Sequence, residues 1–263
     1  MPELADVEGF RRVLTEHAID RPVRSVEVFD GGVLRATTAG ELRHGVTGRR
    51  LRAPRRHGKW LIVPISGGAA MLMHFGMTGA LTWSTVEEPR HAHDRVVFRF
   101  RGGELRYRDQ RKLTGIRLVA GEADAADDLD DLGPDACTVS RDEFAGRLAT
   151  IRRGCKAALT DQSVIAGLGN LLADEILWRA RIHPRRGCAD LDRSQLTRLH
   201  ARMATVLRAA TKAGRVPPRK SWLTGHRDEP DACPRCGTQL RYGRINGRGT
   251  VWCPNCQRDS DVR

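Results

Sequence analysis

Two C-x-x-C pairs near the end of the chain, separated by sixteen residues, constrain its fold more than any other feature of the sequence. Each pair can present two thiolates from one tight turn, and tetrahedral zinc needs four sulfur ligands about 2.3 Å from a single point. We therefore predict a structural zinc ribbon that holds one ion, with a redox-active dithiol as the alternative. The predicted ligands are Cys233, Cys236, Cys253 and Cys256.

The residues between the two pairs predict a β-hairpin. Residues 240–245 and 250–252 have strand character, and Asn246 and Gly247 form a preferred pair for a two-residue hairpin turn. Arg248 follows this turn, and a guanidinium on a rigid hairpin suits a contact to phosphate. A solvated surface arginine is the alternative interpretation of Arg248.

The first half of the chain predicts a β-domain led by a short amphipathic helix. Apolar residues recur at helical spacing over residues 4–14, and short apolar runs bounded by turn residues follow up to residue 119. Many short strands with glycine-rich turns indicate a sandwich or a barrel. Residues 121–143 then hold nine acidic residues and one basic residue, which we interpret as a linker, with a solvated helix face as the alternative.

The second half changes to helical periodicity, which ends where Gly214 is followed by Pro217 and Pro218. Within it, a G-x-G turn leads into Asn170, a residue type favoured at helix N-caps. The unpaired N–H groups of that helix start could hold a phosphate, although such a turn is more often an ordinary corner between helices. Glu175 lies among apolar neighbours, and we interpret it as a structural carboxylate with arginine or backbone N–H partners.

The charge composition points to a polyanionic partner. The 263 residues include 45 basic and 32 acidic ones, and the net charge of +13 favours nucleic acid or an anionic membrane surface over small neutral metabolites. No run of about eighteen apolar residues predicts a membrane-spanning helix, and the first residues lack the pattern of a secretory signal. We therefore expect a soluble cytoplasmic protein, in which unevenly spaced cysteines favour a metal site over disulfides.

Six segments together resemble one family, the formamidopyrimidine-DNA glycosylase and endonuclease VIII family of base-excision repair enzymes. The resemblance covers nearly the whole chain, and the segments follow the family's order. They are MPELADVE, RRHGKWLIV, MHFGMTGAL, RYRDQRKL, VIAGLGNLLADEILWRARIHP and, in the cysteine module, GRGTVWCPNCQ.

The resemblance implies a catalytic amine at the first residue of the mature chain. Pro2 matches the family's nucleophile, which is exposed when Met1 is removed and which forms a Schiff base with the deoxyribose C1′. Glu3 matches the carboxylate that helps to protonate and open the sugar ring, and Lys59 matches a lysine that binds phosphate and stabilises developing charge. The chemistry agrees, because at neutral pH an α-amine is roughly 300-fold richer than a lysine in its nucleophilic form.

The resemblance also implies two groups of DNA-binding residues. The residues that match phosphate contacts around the flipped nucleotide are His74, Asn170 and Arg248. The residues that match the wedge filling the hole left by the extruded base are Met77, Arg111 and Leu113. Without the resemblance, Met77 would be interpreted as an ordinary core methionine.

Three positions depart from the family's pattern. Ala5 and Asp6 stand where proline and glutamate are usual, and Leu113 stands where many members have phenylalanine. Residues 214–232 are shorter than the region that closes over the everted purine in 8-oxoguanine enzymes. The preferred lesion therefore stays open between oxidised purines, formamidopyrimidines and oxidised pyrimidines.

These inferences combine into an α+β protein in five parts. The parts are a catalytic β-sandwich domain (1–120), an acidic linker (121–143), a helix-two-turns-helix DNA-binding domain (144–214), a connecting loop (215–232) and a zinc ribbon (233–263). We expect a monomeric DNA glycosylase and AP lyase that excises oxidised bases from damaged double-stranded DNA at the nucleoid, by β,δ-elimination. The alternatives are a non-catalytic damaged-DNA-binding protein of the same fold and, more weakly, an RNA-binding zinc-ribbon protein.

Overall fold

The structure, a computed structural model, describes residues 1–227 and 230–258, and the chain divides into two compact units. The first unit contains Met1–Pro2 and Asp6–Asp131, and the second contains Glu3–Ala5 and the chain from Leu132 onward. Residues 228–229 of the predicted connecting loop and 259–263 of the predicted zinc ribbon lie outside the described residues. No helix in the described ranges is both long and apolar enough to cross a membrane.

The first unit is built from two four-stranded antiparallel sheets, with strand orders β1-β6-β7-β5 and β2-β3-β4-β8. The strands are β1 (Ser25–Val28), β2 (Arg55–His57), β3 (Trp60–Pro64), β4 (Ala70–His74), β5 (Ala80–Ser84), β6 (Asp94–Phe100), β7 (Gly103–Arg108) and β8 (Ile116–Val119). Side chains from both sheets, such as Phe98 and Met71, share one buried cluster. The predicted β-sandwich is therefore confirmed, and of the two architectures that the short strands allowed, the barrel is wrong.

Two α-helices of the first unit precede strand β2 in the chain. In α1 (Leu4–His17), Val7 and Leu14 are buried in the sandwich core, which confirms the predicted leading helix. The second helix, α2 (Ala39–Val46), has no counterpart in our prediction. Its Thr38 and Glu41 form a capping box, a T-x-x-E signature that the sequence displays.

The acidic segment 121–143 is folded. It contains α3 (Glu122–Asp127) and the first residues of the next helix, and the boundary between the two units falls inside it, after Asp131. Ala125 and Leu129 are buried while most of the acidic side chains around them are exposed. Helix α3 buries Ala125 and exposes its acidic residues, so the first part of this segment corresponds to the solvated helix face that is the alternative to a linker.

The second unit is helical before its cysteine module. Its helices are α4 (Arg141–Ala149), α5 (Cys155–Leu159), α6 (Asn170–Ala180) and α7 (Arg193–Ala213). Apolar side chains of α4, α6 and α7 form one core, to which Leu4 and Ala5 also belong. Gly214 ends α7 in the left-handed conformation with φ of 66°, so the predicted helix stop is confirmed.

The predicted hairpin of the cysteine module is also confirmed. Strands β9 (Arg241–Ile245) and β10 (Arg248–Trp252) pair antiparallel, and the register places Arg248 opposite Ile245. The two turn residues, Asn246 and Gly247, have φ of 49° and 73°. Positive φ at both positions is what a type I′ turn requires, and it explains why this dipeptide occurs here.

Glu175 is a buried structural carboxylate, as predicted. One oxygen lies 2.6 Å from Arg179 Nε, and the other accepts a hydrogen bond of 2.7 Å from the N–H of Leu223. Burial raises the pKa of this carboxyl group, and the two donors oppose that shift. Glu175 therefore ties the middle of α6 to residues 215–227.

Replacing Glu175 by Ala is expected to lower the free energy of unfolding by about 3 kcal/mol, because it leaves the half-buried Arg179 guanidinium and the buried amide of Leu223 without their acceptor. Glu143→Ala is the matched control, since Glu143 pairs with Arg147 at the same spacing but on an exposed surface. Its cost should stay below about 0.5 kcal/mol. Urea unfolding measures both values, and equal losses would contradict the structural role of Glu175.

Candidate functional site

The start of helix α6 is occupied by the side chain of Glu3. The fully buried Glu3 carboxylate accepts hydrogen bonds from the N–H groups of Gly169, Leu171 and Leu172 at 2.8, 2.7 and 3.2 Å. The helix N-cap is Gly169, so the prediction of Asn170 as N-cap is wrong. The Glu3 side chain thus occupies the N–H donors that could otherwise hold a phosphate, because a carboxylate satisfies the same donors.

The glycines of the G-x-G turn make this contact possible. A Cβ atom on Gly169 would lie 2.4 Å from Cδ of Glu3, and one on Gly167 would lie 2.5 Å from a methyl carbon of Leu4. Gly167 also has φ of 109°, a conformation that side chains disfavour. Both glycines are therefore required by the close approach of residues 3–4.

In the first unit, Lys59 and His74 come together. Lys59 lies in the turn between β2 and β3, one residue before β3 begins. The following residue, Trp60, is directly opposite His74 in the β3–β4 register, with the two ring centroids 4.7 Å apart. The charge of Lys59 is close enough to affect the titration of His74.

His74 is held as a neutral hydrogen-bond donor. Burial, helped by the nearby Lys59 ammonium, lowers the pKa of His74 to about 4. Its Nδ1 accepts a hydrogen bond of 3.0 Å from the N–H of Gly76, which places the ring proton on Nε2. The hydroxyl groups of Thr114 and Tyr107 donate to the backbone carbonyl of His74 at 3.1 and 2.8 Å, so the strand end that carries the ring is fixed on two sides.

The three predicted wedge residues occupy two exposed loops of the first unit. Met77 and Leu113 are 40% and 54% exposed, which excludes the core position that was the alternative for Met77. Arg111 Nη1 lies 3.0 Å from Met77 Sδ. The backbone N–H of Arg111 donates to the exposed Thr78 hydroxyl and to the buried Asp109 carboxylate at 3.0 and 3.1 Å, and these two acceptors fix the loop geometry.

The remaining predicted residues divide between the two units. Pro2 is half-buried and groups with the first unit, whereas Glu3 groups with the second. In the second unit Arg248 is exposed at the start of β10. Asn170 donates one amide hydrogen to the carbonyl of Gly249 at 2.9 Å, so this residue supports the hairpin directly.

Sequence reasoning overlooked three charged residues around that hairpin. They are Lys156, Asp174 and Arg227. Asp174 and Lys156 are both about 1% exposed and lie 2.7 Å apart. Two adjacent carboxylates, Asp174 and Glu175, inside a largely apolar helix are the sequence signal for these buried ion pairs.

The four predicted zinc ligands form one cluster in the second unit. Each offers a sulfur atom, and these atoms all lie within 4.8 Å of one another. Sulfur–sulfur distances of 4.0, 3.6 and 3.5 Å are close to the edge of about 3.8 Å expected for tetrahedral zinc with 2.3 Å bonds. N–H groups of Trp178 and Cys256 also point at the cluster's sulfur atoms. The residues present therefore fit a four-thiolate metal site.

Comparison with known proteins identifies two family domains in this chain. The model for the formamidopyrimidine-DNA glycosylase N-terminal domain matches residues 1–116, and the model for the formamidopyrimidine-DNA glycosylase H2TH domain matches residues 132–219. Two curated relatives with the name formamidopyrimidine-DNA glycosylase are similar over their full length. The protein of Streptomyces coelicolor is 36% identical over 100% of this chain and 99% of its own, and that of Geobacillus kaustophilus is 35% identical over 98% and 100%.

Solved structures of Lactococcus lactis Fpg have the same fold. A complex with DNA that contains an abasic site has a TM-score of 0.89 and 29% identity, covering 98% of this chain and 100% of the other. A complex with DNA that contains N7-benzyl-Fapy-dG has the same TM-score, identity and coverage. The resemblance inferred from six segments is therefore confirmed over nearly the whole chain.

Since the pKa of His74 is about 4 in the folded protein and 6.5 in a free side chain, the unfolded chain binds more protons between these pH values. The free energy of unfolding should therefore fall as the pH drops through that window, by about 2 kcal/mol at pH 4.5 from this group alone. His74→Gln should remove this contribution. Unfolding of both proteins at pH 7.5 and 4.5 measures it, with exposed His44→Gln as the control. A difference between wild type and His74→Gln that does not change with pH would contradict the neutral state.

Proposed function

This chain belongs to the formamidopyrimidine-DNA glycosylase family, and from that premise we propose that it is a bifunctional glycosylase and AP lyase that excises oxidised bases from duplex DNA. The observation that carries the proposal is that one sequence contains Pro2, Glu3 and Lys59 at the positions that match the family's catalytic residues, with the Glu3 carboxylate held by three N–H donors. A non-catalytic DNA-binding protein would not require this set.

Pro2 supplies the nucleophile once Met1 is removed. Its secondary amine attacks the deoxyribose C1′, the glycosidic bond breaks, and the base leaves with the bonding electrons and a proton. The C1′–O4′ bond then breaks as O4′ takes up a proton, which opens the sugar ring and leaves an iminium between C1′ and the proline nitrogen. This iminium makes the C2′ proton acidic. Loss of that proton breaks the bond to the 3′ phosphate by β-elimination, and δ-elimination then releases the 5′ phosphate.

Glu3 is the residue that we propose transfers protons at the sugar. It follows Pro2 by one peptide bond, so its Cα lies about 3.8 Å from that of the nucleophilic residue. Because the carboxylate is fixed on the start of α6 by three hydrogen bonds, it needs little reorganisation when charge develops on the ring oxygen. We propose that it assists ring opening by proton transfer.

Lys59 and His74 provide two different contacts to phosphate. The ammonium of Lys59 contributes positive charge, and neutral His74 contributes an uncharged N–H from Nε2. A neutral imidazole keeps its donor over the whole physiological pH range. The pair therefore suits a phosphate that must be held while the sugar reacts.

The wedge and the hairpin complete the proposed DNA contacts. Met77, Arg111 and Leu113 are exposed on neighbouring loops and can fill the gap left by a flipped nucleotide, which offsets part of the unstacking cost. Arg248 and the second amide hydrogen of Asn170 can bind phosphates. The Lactococcus lactis relatives described above are bound to damaged DNA, and we extend that class of partner to this chain, which would act at the nucleoid as a monomer.

Zinc is the metal that we propose for the four cysteines. When bound, it supplies structural cross-linking by four thiolates and no reaction step. Four soft sulfur ligands at tetrahedral spacing favour zinc over magnesium or calcium. The cross-link fixes the base of the hairpin whose tip carries Arg248.

Pro2→Gly is expected to reduce strand cleavage of a duplex with one abasic site by at least tenfold, because the secondary amine is lost while a weaker primary amine remains. Cleavage and base release are measured by gel with a panel of duplexes, each holding one defined lesion. Pro22→Gly, which alters an exposed proline twenty residues after Pro2, is the control, and this variant should cleave normally. Binding of damaged duplex without any cleavage by the wild-type protein would instead favour the non-catalytic alternative.

Chelation of zinc is expected to weaken binding of abasic duplex before it changes the β-sandwich. Fluorescence anisotropy with labelled duplex measures binding, and metal analysis should find one zinc per untreated chain. Cys236→Ser should reproduce the loss, whereas Cys137→Ser, at an exposed cysteine outside the cluster, should not. Normal binding by the metal-free protein would contradict this role.

A further inference from the structure

Arg227, at the end of residues 215–227, contacts the hairpin formed by β9 and β10. The Arg227 side chain is 14% exposed and forms an ion pair with Asp174 of α6 through Nη1. Its Nη2 donates to the backbone carbonyl of Gly249 at 2.9 Å. One planar guanidinium therefore joins helix α6 to the start of strand β10. A lysine could not reproduce this geometry, because an ammonium lacks the fork of N–H donors that a guanidinium has.

Asp174 is the buried anchor of this contact. It is 1% exposed, and it accepts a hydrogen bond of 3.2 Å from the N–H of Val251 in β10. The ammonium of Lys156 lies 2.7 Å from its other oxygen. Two cations and one amide thus surround a carboxylate that would be costly to bury alone.

The backbone carbonyl of Gly249 accepts hydrogen bonds that connect the hairpin to the rest of the second unit. Donors from three different parts of the second unit reach it: Asn170 Nδ2 at 2.9 Å, Arg227 Nη2 at 2.9 Å and Lys156 Nζ at 3.1 Å. Gly249 directly follows Arg248. The direction in which the Arg248 side chain leaves the backbone is therefore set by these three donors.

The hairpin needs such support because it is small and largely uncovered. The first four residues of β9 are exposed, and two strands alone are only marginally stable in water. The cysteine cluster holds the end of the hairpin that is opposite the turn, since Cys253 follows β10. Contacts at Gly249 hold the end near the turn.

We propose that Arg227 is a positioning residue for DNA binding, which acts through Arg248 by fixing the turn end of the hairpin. Residues 215–227 then support the hairpin in this chain through the two contacts of Arg227. The proposal rests on the proposed function, because it needs Arg248 to contact phosphate. In this proposal Arg227 acts through its contacts with Asp174 and Gly249.

A double-mutant cycle tests this inference on the full chain with zinc bound. The variants are Arg227→Gln, Arg248→Ala and the two combined, with Arg215→Gln as a control at an exposed arginine of the same region. Binding to an abasic-site duplex is measured at several salt concentrations. We expect Arg227→Gln to weaken binding about tenfold, Arg215→Gln to have little effect, and the double variant to bind no worse than Arg248→Ala.

Catalytic measurements separate positioning from a general loss of structure. Arg227→Gln should raise KM about tenfold and leave kcat and the zinc content unchanged, because the amine and its neighbours are not altered. Arg227→Lys, which keeps the charge but reaches only one acceptor, should recover part of the affinity. If Arg227→Gln does not fold, Arg227→Lys still tests the inference. Full wild-type affinity in Arg227→Lys would show that the two contacts of Arg227 are not both needed, and this result would overturn the inference.

Two results would overturn the inference alone. Wild-type binding by Arg227→Gln would do so, and so would losses that simply add in the double variant, which would indicate an independent phosphate contact by Arg227. A different result would show that the proposed function itself fails, because Arg248 then contacts no phosphate. Arg248→Ala would leave the slope of log affinity against log salt unchanged, whereas the loss of one phosphate contact should reduce that slope by about 0.9.

Discussion

The carboxylate of Glu3, bonded to three N–H groups at the start of α6, is the interaction on which the rest of the second unit's proposed chemistry depends. It replaces the solvent or side-chain cap that a helix start otherwise needs, and it places a negative charge at the positive end of the helix dipole. Gly167 and Gly169 allow residues 3–4 to approach the start of α6, because a Cβ atom at either position would clash with them. Because Pro2 is joined directly to Glu3, the same three hydrogen bonds limit where the proposed nucleophile can lie.

Helix α6 organises the second unit through a series of charged and polar contacts along its length. Its first turn binds Glu3, its second turn anchors the hairpin through Asp174, and Glu175 captures the N–H of Leu223. Near its end, the indole N–H of Trp178 points at the sulfur of Cys233, 3.4 Å away. One helix of eleven residues thus positions a proposed proton-transfer group, a DNA-contacting hairpin and a metal site. Each buried charge is matched by a donor, which is why it can be tolerated in an apolar core.

Features that depend on local chemistry could be predicted from the sequence. The Asn246-Gly247 turn, the stop at Gly214 and the four cysteines follow from backbone preferences and ligand spacing, and all are found in the structure. The sequence does not predict the capping of α6 because the acceptor comes from Glu3, which no local pattern connects to the start of that helix. The support of the hairpin was overlooked for the same reason, since Lys156 and Gly249 are 93 positions apart. Long-range polar contacts leave no periodic signal, whereas turns and helix ends do.

The central claim is that the nitrogen of Pro2 becomes covalently joined to the sugar. Borohydride reduction of the intermediate on abasic-site duplex, followed by proteolysis and mass spectrometry of the trapped peptide, tests this most directly. The account predicts that the sugar remnant is found on the N-terminal peptide, at Pro2, and that this peptide lacks Met1. A remnant on Lys59 or another lysine, or a trapped peptide that still carries Met1, would contradict it.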